Sequence, residues 1–354
     1  MLARSAVACT GDADYNGAMT ATTTGGFGAM ALFAVLLAPG AATAEPAKEA
    51  QTMSPAATAN RELPAALKAH VRALAVDIGE RSVVRGDGLD RARAYVKSAF
   101  EKAGLKVSEQ PYEYEGRRVA NLIADLPGAT TGPAPYIVGA HYDTVPGTPG
   151  ADDNASGVAV MLELARRAVD KPPKAPIRFV AFTLEEPPAH ATRHQGSHIF
   201  VEELVKSGGG TAGAIILEMV GLTTPEQNYP VFLKWAGYPT AGNFIGVVAN
   251  RASRAFGERV IAGMRRNPAL PVESLFVWFD GWVLYDTRLS DHAPFWDEGL
   301  PAVMVTDTAY FRNRNYHGAG DRAETLDYGF MAELLGSLEL ALAAIPDAGE
   351  AARR

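Results

Sequence analysis

The sequence predicts an α/β fold, with a mostly parallel central sheet covered by helices on both faces. Two observations predict it. Short apolar runs of strand length alternate with longer stretches whose apolar residues recur at helical spacing. Acidic or histidine side chains stand at the ends of several of those runs, at His141, Glu185-Glu186 and Glu218. Such side chains would gather at the carboxyl edge of a parallel sheet.

Taken in order, residues 1–44 read as a signal peptide. Gly28–Pro39 is an apolar h-region and Ala42-Thr43-Ala44 an A-x-A cleavage signal. The run is too short to span a bilayer, which takes about 20 apolar residues. The stretch before it carries Asp12 and Asp14, with Arg4 as its only basic residue. This reading places the protein outside the cytoplasm, periplasmic or secreted, without stable membrane insertion. Cys9 is the only cysteine and precedes the h-region. The mature chain would then hold no disulfide, which a large core makes unnecessary.

Residues 45–62 are rich in Ala, Pro and Thr without apolar period and read as a flexible leader. One domain is expected over 63–346, since no internal linker divides it, and 347–354 is expected to be a flexible tail. Leu67, Val71 and Leu74 carry a helical period. Leu89, Ala92, Tyr95, Val96, Ala99, Phe100 and Ala103 repeat it, ended by Gly104. Val107–Tyr114 alternates as a strand, and Val119–Leu126 is a second one. Tyr136–Ala140 is a third, followed by a helix over about Ser156–Val169 with Asn154 near its cap. That helix is apolar nearly all round and so should be buried. Ile177–Leu184 is the next strand, Ile199–Val205 a helix, Ala214–Leu217 and Ala302–Thr306 strands, and Tyr328–Ala344 a last helix before Pro346. Thr223–Arg288 is irregular, and its aromatics and glycines predict long loops that could wall a site.

Composition narrows the function classes. The 354 residues are 47% hydrophobic and 21% charged, an ordinary globular balance. Net charge is 33 − 40 = −7 with no basic cluster, which excludes a phosphate-backbone partner.

The chemistry concentrates in Gly139–Gly157, where His141, Asp143, Asp152 and Asp153 lie at a strand-to-helix crossing. Imidazole with carboxylates suits Zn²⁺, Mn²⁺ or Co²⁺, and the lack of further cysteine excludes a thiolate site. Adding Glu185-Glu186, Glu218 and His317 gives more ligands than one open zinc needs. Two metals sharing a bridging carboxylate, roughly 3.5–4 Å apart, would use five such ligands.

At this point the chain resembles a known family. H-x-D (His141, Asp143), D-x-x-S-G (Asp153 to Gly157), E-E (Glu185, Glu186), Glu218 before Met-Val-Gly, S-D-H (Ser290, Asp291, His292) and Y-H (Tyr316, His317) are similar to the M28 family of zinc-dependent exopeptidases. The resemblance implies an aminopeptidase-like zinc-exopeptidase fold with two Zn²⁺ ions, Co²⁺ or Mn²⁺ being substitutes. It implies that Asp153 bridges, that His141 and Glu218 complete one metal site, and that Glu186 and His317 complete the other. Glu185 would be the general base, acting on a metal-bridged water to release N-terminal residues from a peptide substrate. Asp143 would orient His141. Tyr316 is the first candidate to steady the oxyanion and Tyr285 the second, with plain packing as the other reading of each. One departure is Glu218, where the two-zinc aminopeptidases often carry Asp.

Other readings stay open. A glutaminyl-cyclase-like acyltransferase with one zinc, or an inactive binding module, would share the fold. His70 is assigned no role. His190, His194 and His198 recur every four residues, but Pro187-Pro188 and Gly196 argue against one helix and for a loop near the site. His292 and Asp291 are expected to orient or pack rather than to ligate. Asp152 is expected to be a neighbour of the bridging residue and not a ligand, and the other reading of Asp152-Asp153 is an acidic pair of which one member favours the helix dipole.

Overall fold

The computed structural model describes residues 55–126 and 134–345. The apolar h-region, the A-x-A signal, Cys9 and the tail at 347–354 lie outside the described residues. Among the described residues, no helix is long and apolar enough to cross a membrane.

Helix α1 spans Pro55–Arg72 and runs on into a wide turn over Ala73–Ile78. It begins within the stretch read as a leader. Pro55 suits a first helical position, and Ala56, Ala57 and Ala59 are strong helix formers, so propensity there outweighs the missing apolar period. Leu67, Val71 and Leu74 are fully buried, as their spacing predicts. Helix α2 (Gly88–Lys102) follows, and Gly104 leaves it at φ +90°.

Eight strands form one sheet: β1 (Lys106–Tyr114), β2 (Arg117–Asp125), β3 (Tyr136–His141), β4 (Ile177–Phe182), β5 (Gly213–Glu218), β6 (Ile245–Asn250), β7 (Val272–Val277) and β8 (Ala302–Thr306). Their order is β1-β2-β4-β3-β5-β8-β6-β7. The central β4-β3-β5-β8 ladder is parallel. β2 and β6 flank it antiparallel, and β7 pairs parallel with β6. The parallel strands are mostly apolar because both faces are covered, with His141 and Glu218 at strand ends and Arg178 near the start of β4. Helix α3 (Gly157–Asp170) is buried along most of its length, as its all-round apolarity predicts. Helices α4 (Gly196–Lys206) and α8 (Tyr328–Ala344) stand where the periods put them.

The reading of Thr223–Arg288 as loops is corrected. This stretch holds β6, β7 and helix α6 (Arg254–Met264), with a short helix α5 (Val231–Trp235). β6 reads Ile-Gly-Val-Val-Ala-Asn, a buried run broken by a glycine, and β7 carries Glu273 and Ser274 among its apolar residues. Sheet pairing overrides that weak local pattern.

Arg81 is a structural keystone that periodicity cannot reveal. Its guanidinium is fully buried and donates to the carbonyl oxygens of Tyr142, Leu74, Gly79, Pro149 and Gly150. Burial lowers its pKa to about 10, opposed by Asp143, Asp321 and Asp153. It thereby ties the turn after α1 to the loop that leads from β3 to α3. Arg81→Ala would strand several buried carbonyls, each costing about 1–3 kcal/mol. A destabilisation above about 3 kcal/mol is expected in urea unfolding, with Arg81→Lys recovering only part of it.

Candidate metal centre

Three strand ends and one late loop build the centre. β3 ends on His141, β4 leads through Thr183 and Leu184 to Glu185-Glu186, and β5 ends on Glu218. His317 comes from the loop between β8 and α8. Asp153 sits in the tight turn Ala151–Ser156 before α3. Leu184 (φ 54°), Met219 (φ 47°) and His317 (φ 58°) all adopt the left-handed conformation, uncommon for side chains of their size. Backbone strain held at or beside three site residues marks a site over-determined by its surroundings. Gly150 (φ +57°) precedes the turn, where a Cβ would strike the Asp153 carbonyl oxygen.

The five residues expected to ligate come together. His141 Nε2 lies 3.4 Å from Asp153 Oδ1 and 3.4 Å from Glu218 Oε2. His317 Nε2 lies 3.3 Å from Asp153 Oδ2 and 3.1 Å from Glu186 Oε2. Asp153 therefore offers one oxygen to each side. Two triads, His141–Asp153–Glu218 and Asp153–Glu186–His317, have ligand atoms within 4.8 Å of one another. His141, Glu185 and Glu186 form a third such group.

This donor set fits a divalent cation. Both His141 ring nitrogens, His317 Nε2, Asp153 Oδ2 and Glu186 Oε1 are buried without a hydrogen-bond partner among the described residues, a costly state for polar atoms unless something else satisfies them. The titration directions agree. Burial drives Glu218 up to about 7, with Asp153 adding and His141 opposing. Burial followed by the Asp153 charge pushes Glu186 well above the carboxylate range. Burial pulls both imidazoles down, but the carboxylates outweigh it: Glu218, Asp143 and Asp153 hold His141 well above its ordinary value, and Asp153 and Glu186 bring His317 to about 10. Asp153, though buried, is held low by the two imidazoles. Protons thus do here what a cation would do better.

Asp143 lies 3.5 Å from His141 Nδ1 and also accepts from the Glu185 and Glu186 amides, each at 3.1 Å. One carboxylate so orients the imidazole and fixes the Glu-Glu backbone. Glu185 has His190 Nδ1 3.1 Å from its Oε1. His190 is the histidine of the His190/His194/His198 series that reaches the centre, from a turn-rich segment as expected. Asp152 does not join either triad. Its oxygens accept from the Gly221 amide (2.9 Å) and the Asn313 side chain (3.0 Å). Asp321, which the sequence reading missed, accepts from the amides of both Asp152 and Asp153. Its separation in sequence from that turn hides it from any local pattern.

Asp291 accepts from Gln195 Nε2 at 3.2 Å and is driven up to about 8 by burial and then by Glu185. Ser290, beside it, donates to Glu218 Oε2 at 2.7 Å. His292 is a packing residue: Nε2 donates to the Thr287 carbonyl at 2.7 Å and its ring sits edge-on to Trp296. Burial lowers its pKa to about 4. A neutral histidine in the fold contributes stability that is complete above its unfolded value near 6.5 and is lost as pH falls toward 4. His292→Phe should accordingly flatten the acid limb of the melting-temperature curve over that window, as differential scanning fluorimetry would show. His70, remote from the centre, bonds the Tyr95 hydroxyl at 2.8 Å and Glu163 at 3.2 Å, joining three helices.

A cavity of about 110 Å³ opens beside the centre, with Glu218 and Tyr316 in its wall. Tyr229, Leu233, Leu275, Leu284 and Met304 make it largely apolar. Among the described residues its acids are Glu218 and Asp286, and no Lys, Arg or His lines it. Part of this wall comes from 223–288, as foreseen, although on regular elements. Tyr316 stacks on His317 with ring centroids 3.7 Å apart, and burial with the Asp153 and Glu186 charges raises its pKa. Tyr285 stands half-exposed and outside this lining. Tyr310, missed in the sequence, lies in the lining and is hydrogen-bonded to Asp286.

Comparisons with known proteins come to the same place. YfbL of Escherichia coli K12, named as uncharacterized, is 36% identical over 77% of this chain and 85% of its own length. Aminopeptidase YwaD of Bacillus subtilis is 47% identical over 47% of this chain, a match spanning 30% of that protein. Among solved structures, the LapA aminopeptidase of Legionella pneumophila superposes with a TM-score of 0.62 at 20% identity, covering 85% of this chain and 76% of that one. A glutaminyl cyclase of Tannerella forsythia gives 0.59 at 17% identity, covering 80% and 99%. Such likeness at low identity shows the fold, an α/β sheet of the aminopeptidase-like kind, and does not separate the two activities. The model for peptidase family M28 matches residues 121–336. With the centre in view and a match over more than half of its length, the chain belongs to peptidase family M28.

Proposed function

We propose that the protein is a zinc-dependent aminopeptidase that removes apolar N-terminal residues from peptides. The observation that carries this reading is the acid-lined apolar cavity beside the two triads. An aminopeptidase must receive an ammonium group and a carboxypeptidase a carboxylate. A wall with Asp286 and no cationic side chain suits the former. Of the cavity's two acids, Glu218 belongs to the His141 triad, which leaves Asp286 for this role.

Asp153 would bridge two Zn²⁺ ions, with His141 and Glu218 on one and Glu186 and His317 on the other. Bound there, zinc would acidify a water and polarise the scissile carbonyl. Glu185 takes a proton from the attacking water and returns it to the leaving amine nitrogen. Asp143 keeps His141 and the Glu-Glu backbone in register. The Tyr316 hydroxyl, held protonated, donates toward the developing oxyanion. The Asp286 carboxylate anchors the substrate ammonium and the apolar wall takes its side chain. The cyclase-like alternative needs one zinc and leaves the second triad without a purpose. The N-terminal h-region and A-x-A signal support export to the periplasm or beyond.

A panel of aminoacyl-arylamides, read with and without chelator, tests the reading. Leucyl and methionyl substrates should be cleaved, chelator should stop the reaction, and zinc should restore it. Asp286→Asn should lower kcat/KM by about 10–100-fold, the worth of a charge-assisted hydrogen bond. Release of C-terminal residues from N-blocked peptides, or cyclisation of N-terminal Gln without peptide cleavage, would overturn it.

A further inference from the structure

We infer that an apolar collar around the cavity mouth is a docking surface for peptide residues beyond the first, so that the enzyme favours peptides apolar over several positions. The inference rests on the aminopeptidase reading above. Among the described residues, the exposed large apolar side chains are not scattered. All but Val76, Val84 and Val205 lie on α5 or on residues 278–285. Trp235 is 83% exposed, Phe279 73%, Val283 78% and Trp282 61%. Both segments also line the cavity, α5 through Phe232 and Leu233 and the other through Leu284. The collar is therefore continuous with the wall that takes the first side chain. Large exposed apolar patches of this kind mark binding surfaces.

The 278–285 side of the collar is also held in place. Arg288 is buried, pairs with Asp297 at 2.7 Å, donates to the Asp280 carbonyl at 2.6 Å and stacks its guanidinium 4.0 Å from the Trp282 ring centroid. Asn250 donates to Asp280 Oδ1 at 2.7 Å. Phe279 and Asp280 there hold left-handed conformations (φ 52° and 51°), with both the carbonyl and the carboxylate of Asp280 bonded. A surface fixed before binding costs little ordering on contact. Charge and position choose the occupant. A net charge of −7 offers no attraction to an anionic bilayer. A second copy seated on the collar would close the mouth that substrate must enter. An apolar chain leaving the cavity meets the collar without either conflict.

The test uses two pentapeptides with the same first residue, Leu-Leu-Phe-Val-Lys and Leu-Gly-Ser-Gly-Lys, with leucine release as the readout. The intact protein should show kcat/KM at least about tenfold higher for the first, the yield of partly burying one or two apolar side chains. Phe279→Ser with Val283→Ser, two exposed side chains, should bring the ratio to within about twofold at an unchanged melting temperature, and Trp235→Ser should lower it from the other segment. A ratio near one in the parent protein, or one untouched by either variant, would overturn the inference. So would collar-dependent co-sedimentation with phosphatidylcholine vesicles, or a dimer by light scattering that the double variant abolishes. Release of leucine from neither peptide would instead defeat the aminopeptidase reading, and this inference with it.

Discussion

Replacing Glu185 by glutamine is expected to lower kcat by about 10²–10⁴-fold, the range that a positioned general base supplies. The change is nearly isosteric, and the Glu185 amide is held by Asp143 rather than by its own side chain. The backbone should therefore stay in place. Glu185 Oε1 is buried with His190 Nδ1 3.1 Å away, an ion pair within the centre rather than a bond that holds the backbone. It belongs to neither of the triads centred on Asp153. Metal content should consequently be unchanged, and so should the affinity for an uncleaved substrate analogue. The measurement is kcat by stopped assay alongside zinc content by atomic absorption. A variant that loses zinc in proportion to its activity would make Glu185 a ligand. A variant that keeps its turnover would remove it from proton transfer altogether. His190 gives an internal check. It is held up to about 9 because its bonds to Glu185 outweigh burial. With a neutral amide at 185 that support goes, and the His190 resonance should titrate at lower pH in NMR.

Much of this architecture is legible in the sequence, for reasons that differ between its parts. The apolar runs of β3, β4, β5 and β8 are buried on both faces, so covering the sheet demands hydrophobic side chains at most of their positions. Helix α3 announces itself in the same way. The candidate ligand set is legible because cations demand particular side chains, and strands of a parallel ladder deliver their ends to one edge. β6 and β7 escape because they take part of their stability from pairing in register with β8 and with each other, which no local pattern encodes. Arg81, Asp321 and Tyr310 escape for a related reason. Each acts on groups distant in sequence, Arg81 on the carbonyls of Pro149 and Gly150 and Asp321 on the amides of Asp152 and Asp153. A composition or a period carries no trace of such partners. The pieces read most sharply are the ones where chemistry restricts residue choice. The pieces missed are those where the fold only needs a donor or an acceptor at a particular point in space.

Asp153→Asn is the second large effect, and it probes the centre as a whole. Asp153 presents Oδ1 to the His141 side and Oδ2 to the His317 side, so both triads share it. An amide keeps one oxygen and puts an NH₂ group on the other side, where a donor faces an imidazole nitrogen and cannot ligate. One triad would lose its third member and the other a negative charge. Activity should fall on the order of 10³-fold or more, about 4 kcal/mol of transition-state stabilisation. The more telling readout is independent of turnover. A cation that binds only the folded state stabilises it by about 2.7 kcal/mol at a hundredfold excess over its dissociation constant. The parent protein should melt higher with zinc, while the variant should show a much smaller shift. The stability of the metal-free forms is a poor guide, because two opposing effects meet there. Asp153 repels Glu186 and Glu218 but is held charged by His141 and His317. The zinc-induced shift cancels that shared background and isolates what the carboxylate does for the cations. An equal shift in parent and variant would mean that Asp153 does not bridge, and the two triads would then have to be separate sites or none.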